Sequence, residues 1–199
     1  MHTASAAFVF EEACVTALIF LHGSQGHPDD WGDFPEIIAP KARYFIPTGT
    51  ITDGSGYTFV ERNEEGGFDP ENLKPRATAL LEALPAAAKG VRQVIVGYSR
   101  GAAMAQALML VAPHKFSAAI LIRPEPVCET FDAALFLPVL ILAGRHDVRR
   151  RISDAETLST ALKKAGAFVT VQWLDCGHGW SPDGADASHA RAFLQRYLG

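Results

Sequence analysis

The feature that most restricts how this chain can fold is a regular alternation of short apolar runs with stretches of helical character. The runs, rich in β-branched and aromatic residues, fall at 15–21, 42–46, 93–96, 118–122, 139–143 and 170–174. Each is nearly continuous, the pattern of strands covered on both faces. Between them lie helix-length segments at 73–88, 102–111 and 153–165, the last with an Asp/Ser start and Gly166 as a stop, and a final helix at 185–197. Strands joined by helix-length crossovers build right-handed βαβ units. The pattern therefore predicts an α/β fold, a mainly parallel sheet of about six or seven strands with helices on both faces in a three-layer sandwich. Ligands of such sheets bind beyond the carboxyl ends of the strands, which directs attention to the loops there.

No repeat or linker divides the 199 residues, and with 48% of them apolar the chain reads as one domain over 1–199. A net charge of −4 offers no basic footprint for nucleic acid. No apolar run approaches the roughly 18 residues needed to cross a bilayer, so no integral membrane segment is expected. The first 20 residues lack Lys and Arg and carry Glu11 and Glu12, which reads as mature protein rather than a leader. Three cysteines, Cys14, Cys128 and Cys176, are an odd number at no metal-ligand spacing, which fits reduced thiols in a cytoplasm.

Gly97-Tyr98-Ser99-Arg100-Gly101 matches G-x-S-x-G directly after one apolar run and directly before an Ala-rich helix. A strand that turns this sharply into a helix exposes the serine hydroxyl and aims the helix N-terminus at developing negative charge. Serine needs a base, and the base needs an orienting acid. Of seven histidines, His178 in Cys176-Gly177-His178-Gly179-Trp180 follows the last run and precedes the last helix. Asp147 follows the preceding run in Gly144-Arg145-His146-Asp147. Asp154 reads as a cap or first-turn acid, Asp175 stands too close to the base, Asp132 and Asp183 are surface-loop candidates, and His146 reads as a loop residue beside the acid. Donors for an oxyanion are expected from the Arg100 N–H and, in the turn Leu21-His22-Gly23-Ser24-Gln25-Gly26, from the Ser24 N–H with Gln25 N–H as fallback. His22 itself reads as structural.

The Gly-rich, polar segment from Pro47 to Pro70 is expected to be a long loop, either a solvated excursion or a substrate-facing element. Gln25, Tyr57, Phe59, Arg62 and Trp180 are the candidate substrate contacts.

Taken together, the Leu21-His22-Gly23-Ser24, Gly97 to Gly101, Gly144 to Asp147 and Gly177-His178 motifs resemble the phospholipase/carboxylesterase branch of the α/β hydrolases, relatives of dienelactone hydrolases and acyl-protein thioesterases. The resemblance covers nearly the whole chain. It implies hydrolysis of small carboxylic esters or thioesters without metal or organic cofactor, and a homodimer as one possible assembly. Three residues depart from the pattern. Position 99 is serine where dienelactone hydrolases use cysteine. Arg100 replaces a common Gln or Asn, placing a cation near the mouth that would favour an anionic substrate. After the acid the chain has Val148-Arg149-Arg150-Arg151 where the family often has a short Val-Pro-containing turn, and the run Arg149-Arg150-Arg151 reads equally as a solvated loop. A ligand-binding module without catalysis, or an acyltransferase or perhydrolase with the same three residues, remains open at this level.

Overall fold

The computed structural model describes residues 16–85 and 91–198. The start of the first expected strand, the end of the helix expected to reach 88, and Cys14 lie outside the described residues. Strands β1 (Thr16–Leu21) and β2 (Arg43–Phe45) are followed by a small antiparallel hairpin of β3 (Ile51–Asp53) and β4 (Gly56–Thr58). Then come β5 (Arg92–Tyr98), β6 (Phe116–Ile122), β7 (Pro138–Gly144) and β8 (Phe168–Leu174). All but the hairpin form one six-stranded sheet in the order β2-β1-β5-β6-β7-β8, with every pairing parallel. The helices are α1 (Phe34–Ile38), α2 (Pro70–Ala83), α3 (Arg100–Val111), α4 (Ile152–Lys164) and α5 (Ala185–Leu198).

The continuous apolar runs are explained by burial on both faces. Along β1, Ile19 and Leu21 join one core with Leu73, Met104, Leu108 and Leu158 from α2, α3 and α4. Leu18 and Phe20 join a second core with Phe34, Ile38, Phe193 and Leu194 from α1 and α5. Each such side chain contributes about 1.5–3 kcal/mol when fully removed from water, which is why no polar alternation survives in the central strands. The three-layer sandwich is as expected. Among the described residues, no helix is long and apolar enough to cross a membrane.

The winding positions the site. From β1 the chain moves outward to β2, then re-enters on the other side of β1 with β5, after which β6, β7 and β8 follow in order. The direction of winding reverses between β1 and β5, the switch point beyond whose strand ends open sheets of this kind form their ligand crevice. Residues 22–26 flank it on one side and Ser99 on the other. Two glycines allow the close approach. A Cβ on Gly101 would lie 1.9 Å from the Leu21 carbonyl oxygen, and one on Gly97 would lie 2.5 Å from the Gly101 carbonyl oxygen. The first turn of α3 thus presses directly onto the end of β1.

The segment from Pro47 to Pro70 is not the uninterrupted loop expected from its composition. It contains the β3–β4 hairpin, turned by Gly54 at φ +59° and Ser55, and it ends where α2 begins, at Pro70 with Asp69 accepting from the Glu71 N–H. Short α1 was also not anticipated, because five residues are too few to establish a helical period.

Candidate active site

Ser99 is the residue between β5 and α3, with φ +54° and ψ −116°. Its N–H donates to the Ile122 carbonyl at the end of β6 (2.9 Å), which fixes the turn across the sheet. Among the described residues only Gln25, Ser99 and Arg123 are non-glycines with positive φ; Ser99 and Arg123 directly follow β5 and β6, and Gln25 lies in the loop after β1. Such conformations cost of order 1–3 kcal/mol each and persist where surrounding contacts hold them.

Three expected residues come together. The Ser99 hydroxyl and His178 Nε2 are 2.9 Å apart, and His178 Nδ1 is 2.8 Å from Asp147 Oδ2. Asp147 Oδ1 accepts from the Arg149 N–H (2.9 Å), so both carboxylate oxygens are occupied and the ring is held with its proton on Nδ1. Burial pushes the His178 pKa below the ordinary imidazole value. The Asp147 hydrogen bond and charge oppose that shift, and the Arg150 and Arg149 cations add to it. The imidazole is therefore neutral at pH 7 and able to accept a proton.

The loop bearing His178 is held by residues that sequence reasoning passed over. The Tyr98 O–H donates to the His178 carbonyl (2.9 Å). Arg123, 1% exposed at the end of β6, donates to the carbonyls of Gly177 (3.1 Å) and Gly179 (3.0 Å) and to Cys176 Sγ (3.0 Å). The same guanidinium grips both oxygens of Asp186 on α5, at 2.8 and 3.0 Å. Asp186 Oδ2 in turn accepts from the Ser181 N–H and O–H. In this buried fork-to-fork pair both carboxylate oxygens are engaged by the guanidinium and one of them also by Ser181, the kind of arrangement under which burying two charges is tolerated. An arginine in an apolar run, Ile122-Arg123-Pro124, was the available signal.

On the other side of the crevice, Gly23 passes close to the serine, for a Cβ there would lie 3.4 Å from the Ser99 Cβ. Ser24 and Arg100, the next residue on each side, therefore lie in neighbouring turns, and the Arg100 N–H, the first amide of α3, has no acceptor inside its own helix. The Gln25 N–H, the fallback donor, is committed to Asp53 Oδ2 (3.2 Å). His22 is buried, its Nδ1 on the Gly23 carbonyl (2.8 Å) and its Nε2 accepting from the Gly49 N–H (3.0 Å).

The remaining candidates separate. Phe59 is 3% exposed and packs in the core against the His22 ring, so it is no surface for substrate. Tyr57 is exposed and meets His27 edge-on. Trp180 stacks on Tyr98 (5.3 Å between centroids) beside His178 and is 41% exposed. Arg62 is bound to Glu125 and lies over the Phe68 ring. Arg100, expected to place a cation near the mouth that favours an anionic substrate, is paired with Asp53 Oδ2 at 3.0 Å. The arginine run is not simply solvated. Arg149 and Arg151 are exposed, but the Arg150 side chain is 9% exposed and its Nη2 donates to Ser99 Oγ (3.0 Å). His146 and Asp175 form an exposed pair at 2.7 Å. Among the described residues no group of His, Cys, Asp and Glu could hold a metal ion.

A parallel sheet wound in this way, with a left-handed serine leading from a central strand into a helix, defines the class as an α/β hydrolase. No protein-family model matches the chain. The putative hydrolase MhqD of Bacillus subtilis (strain 168) is 32% identical over 169 residues, which cover 81% of this chain and 84% of that protein. The crystal structure of the Bacillus cereus carboxylesterase matches with a TM-score of 0.82 at 28% identity, covering 93% of this chain and 90% of that one. The carboxylesterase from Mesorhizobium loti matches with a TM-score of 0.82 at 28% identity, covering 90% and 88%. The chain belongs to this family of esterase-type α/β hydrolases.

Proposed function

We propose that the chain is a serine esterase that cleaves small carboxylic esters or thioesters in two steps through an acyl group on Ser99. His178 takes the Ser99 proton as the hydroxyl oxygen attacks the carbonyl carbon, and gives it to the departing alcohol or thiol. Water, deprotonated by the same imidazole, then attacks the acyl-enzyme and releases the acid and the serine. Asp147 holds the tautomer and stabilises the imidazolium. The N–H groups of Ser24 and Arg100 receive the oxyanion, each contributing about 2.7–4 kcal/mol to the transition state. Trp180 and Tyr98 supply an aromatic wall beside the base. The observation that carries this reading is the unbroken chain of hydrogen bonds from Ser99 Oγ through His178 to Asp147.

The test is Ser99→Ala. It is expected to abolish p-nitrophenyl acetate turnover and labelling by a fluorophosphonate while the circular dichroism spectrum is unchanged. Undiminished turnover in a folded Ser99→Ala protein rejects the assignment.

A further inference from the structure

Arg150 has an arrangement that acyl transfer at Ser99 does not by itself require. Its Nε donates to the Arg123 carbonyl (3.0 Å), and its Nη1 donates to the Arg149 carbonyl (2.9 Å) and faces Glu125 Oε1 (3.2 Å). Its Nη2 donates to Ser99 Oγ at 3.0 Å. A guanidinium has two hydrogens on that nitrogen, and the second meets no acceptor among the described residues. The spare donor therefore sits on the atom beside the nucleophile.

The charges nearby do not cancel this cation cleanly. Glu125, held between Pro124 and Pro126 with its carbonyl on Gln106 Nε2 (2.9 Å), is shared by Arg150 and Arg62. Asp147 is engaged by His178 and the Arg149 N–H, Asp53 by Arg100, Asp186 by Arg123, and Asp154 by the Arg151 N–H. When His178 becomes an imidazolium it takes up the Asp147 charge. The trio of Arg62, Arg150 and Glu125 is then left one positive charge in excess.

Acylation sharpens the imbalance. Once Oγ is esterified it becomes a poor acceptor, so both hydrogens on Nη2 lose or lack a partner as the acyl group arrives. A nearly buried cation with unmatched donors is costly unless the incoming group brings acceptors. A carboxylate hydrogen-bonded about 2.8 Å from Nη2 reaches the acyl carbon through a spacer of roughly two atoms at ordinary bond lengths.

We infer that Arg150 makes this cleft select esters whose acyl part carries a carboxylate a few bonds from the scissile carbonyl, the half-esters of short dicarboxylic acids. The inference rests on acyl transfer at Ser99 and adds the substrate class.

The test compares kcat/KM of the purified full chain for monoethyl succinate and for ethyl 4-methylpentanoate, its neutral isostere. A second pair, acetoxyacetate and isobutyl acetate, places the carboxylate on the alcohol side. The expected result is a preference of about tenfold or more for monoethyl succinate, as charge-assisted hydrogen bonds provide. That preference shrinks as salt is raised and is absent from the second pair. Arg150→Met is expected to remove the preference while fluorophosphonate still labels Ser99, and Arg150→Lys to retain part of it. Equal or better turnover of the neutral isostere, a preference confined to acetoxyacetate, or an undiminished preference in Arg150→Met overturns the selectivity and leaves acyl transfer standing. Absence of both labelling and turnover of every ester overturns the acyl-transfer reading and this inference with it. If Arg150→Met does not fold, the preference of the unaltered chain and its salt dependence decide the matter.

Discussion

At the scale of single residues, the base role proposed for His178 sets the lower pH limit expected of the activity. It acts as a base only when neutral, and burial, the largest influence on it, lowers its pKa below the ordinary value of about 6.5. Activity should therefore persist through pH 6.5 and fall only as the pH drops through that lowered value. A profile of kcat/KM between pH 4.5 and 8 tests this, and an acid limb centred above 6.5 would contradict it. Asp147→Asn removes an influence that raises the His178 pKa and also unsettles the tautomer. The limb should move further to acid while the plateau falls by orders of magnitude, about 10⁴ in the serine protease parallel. The convergence of Ser99, Asp147 and His178 was legible because each is tied to an element boundary, directly after an apolar run, and element order then leaves few choices. Arg150 was not legible, and for Arg123 the apolar run around it signalled burial but not its partner. A run of three arginines carries no sign of which one turns inward, and a lone arginine after a strand does not announce the carboxylate 63 residues later that receives it.

Among elements, the loop between β8 and α5 depends on a neighbour it never adjoins in sequence. Arg123 at the end of β6 supplies donors to the carbonyls on both sides of His178 and is anchored by Asp186 of α5. Removing one partner leaves the other charge buried and unpaired, so Arg123→Met or Asp186→Asn should each destabilise the protein by about 3–5 kcal/mol in urea unfolding. The double change Arg123→Met with Asp186→Leu should recover much of that loss, since no charge is stranded. Its kcat should stay low, because the Gly177 and Gly179 carbonyls still lack their donor. Recovery of stability and kcat together would mean that Arg123 has no part in positioning the base. The main helices and sheet strands were readable from period and burial. The β3–β4 hairpin was hidden because its three-residue strands sit in a polar, Gly-rich segment, although Ile51-Thr52-Asp53-Gly54 carried a hairpin signature.

Over the whole molecule, one buried histidine and one half-buried one link stability to pH in the same direction. His22 and His178 both have pKa values lowered first by burial. Between each lowered value and the unfolded value of about 6.5, the unfolded chain binds more protons than the folded one. Their contribution is therefore complete above about pH 6.5 and is lost as pH falls through the folded values. For His22 the structural reason is direct, since its Nε2 accepts the Gly49 N–H and a proton there would set donor against donor. Melting temperatures recorded from pH 8 to 5 should fall on the acid side, and His22→Asn should show a lower value at pH 8 with a shallower slope. A flat profile in the unaltered protein would refute the linkage.

Gln25, Ser99 and Arg123 hold backbone angles that glycine adopts more readily, and all three lie in the turns that follow strands of the central sheet. Glycine at Arg123 would strand Asp186, but at Ser99 it would relieve local tension and delete the proposed nucleophile. Laboratory evolution under heat alone would thus be drawn toward sturdier, inert descendants, so breeding a hardier version requires turnover to be scored in every round.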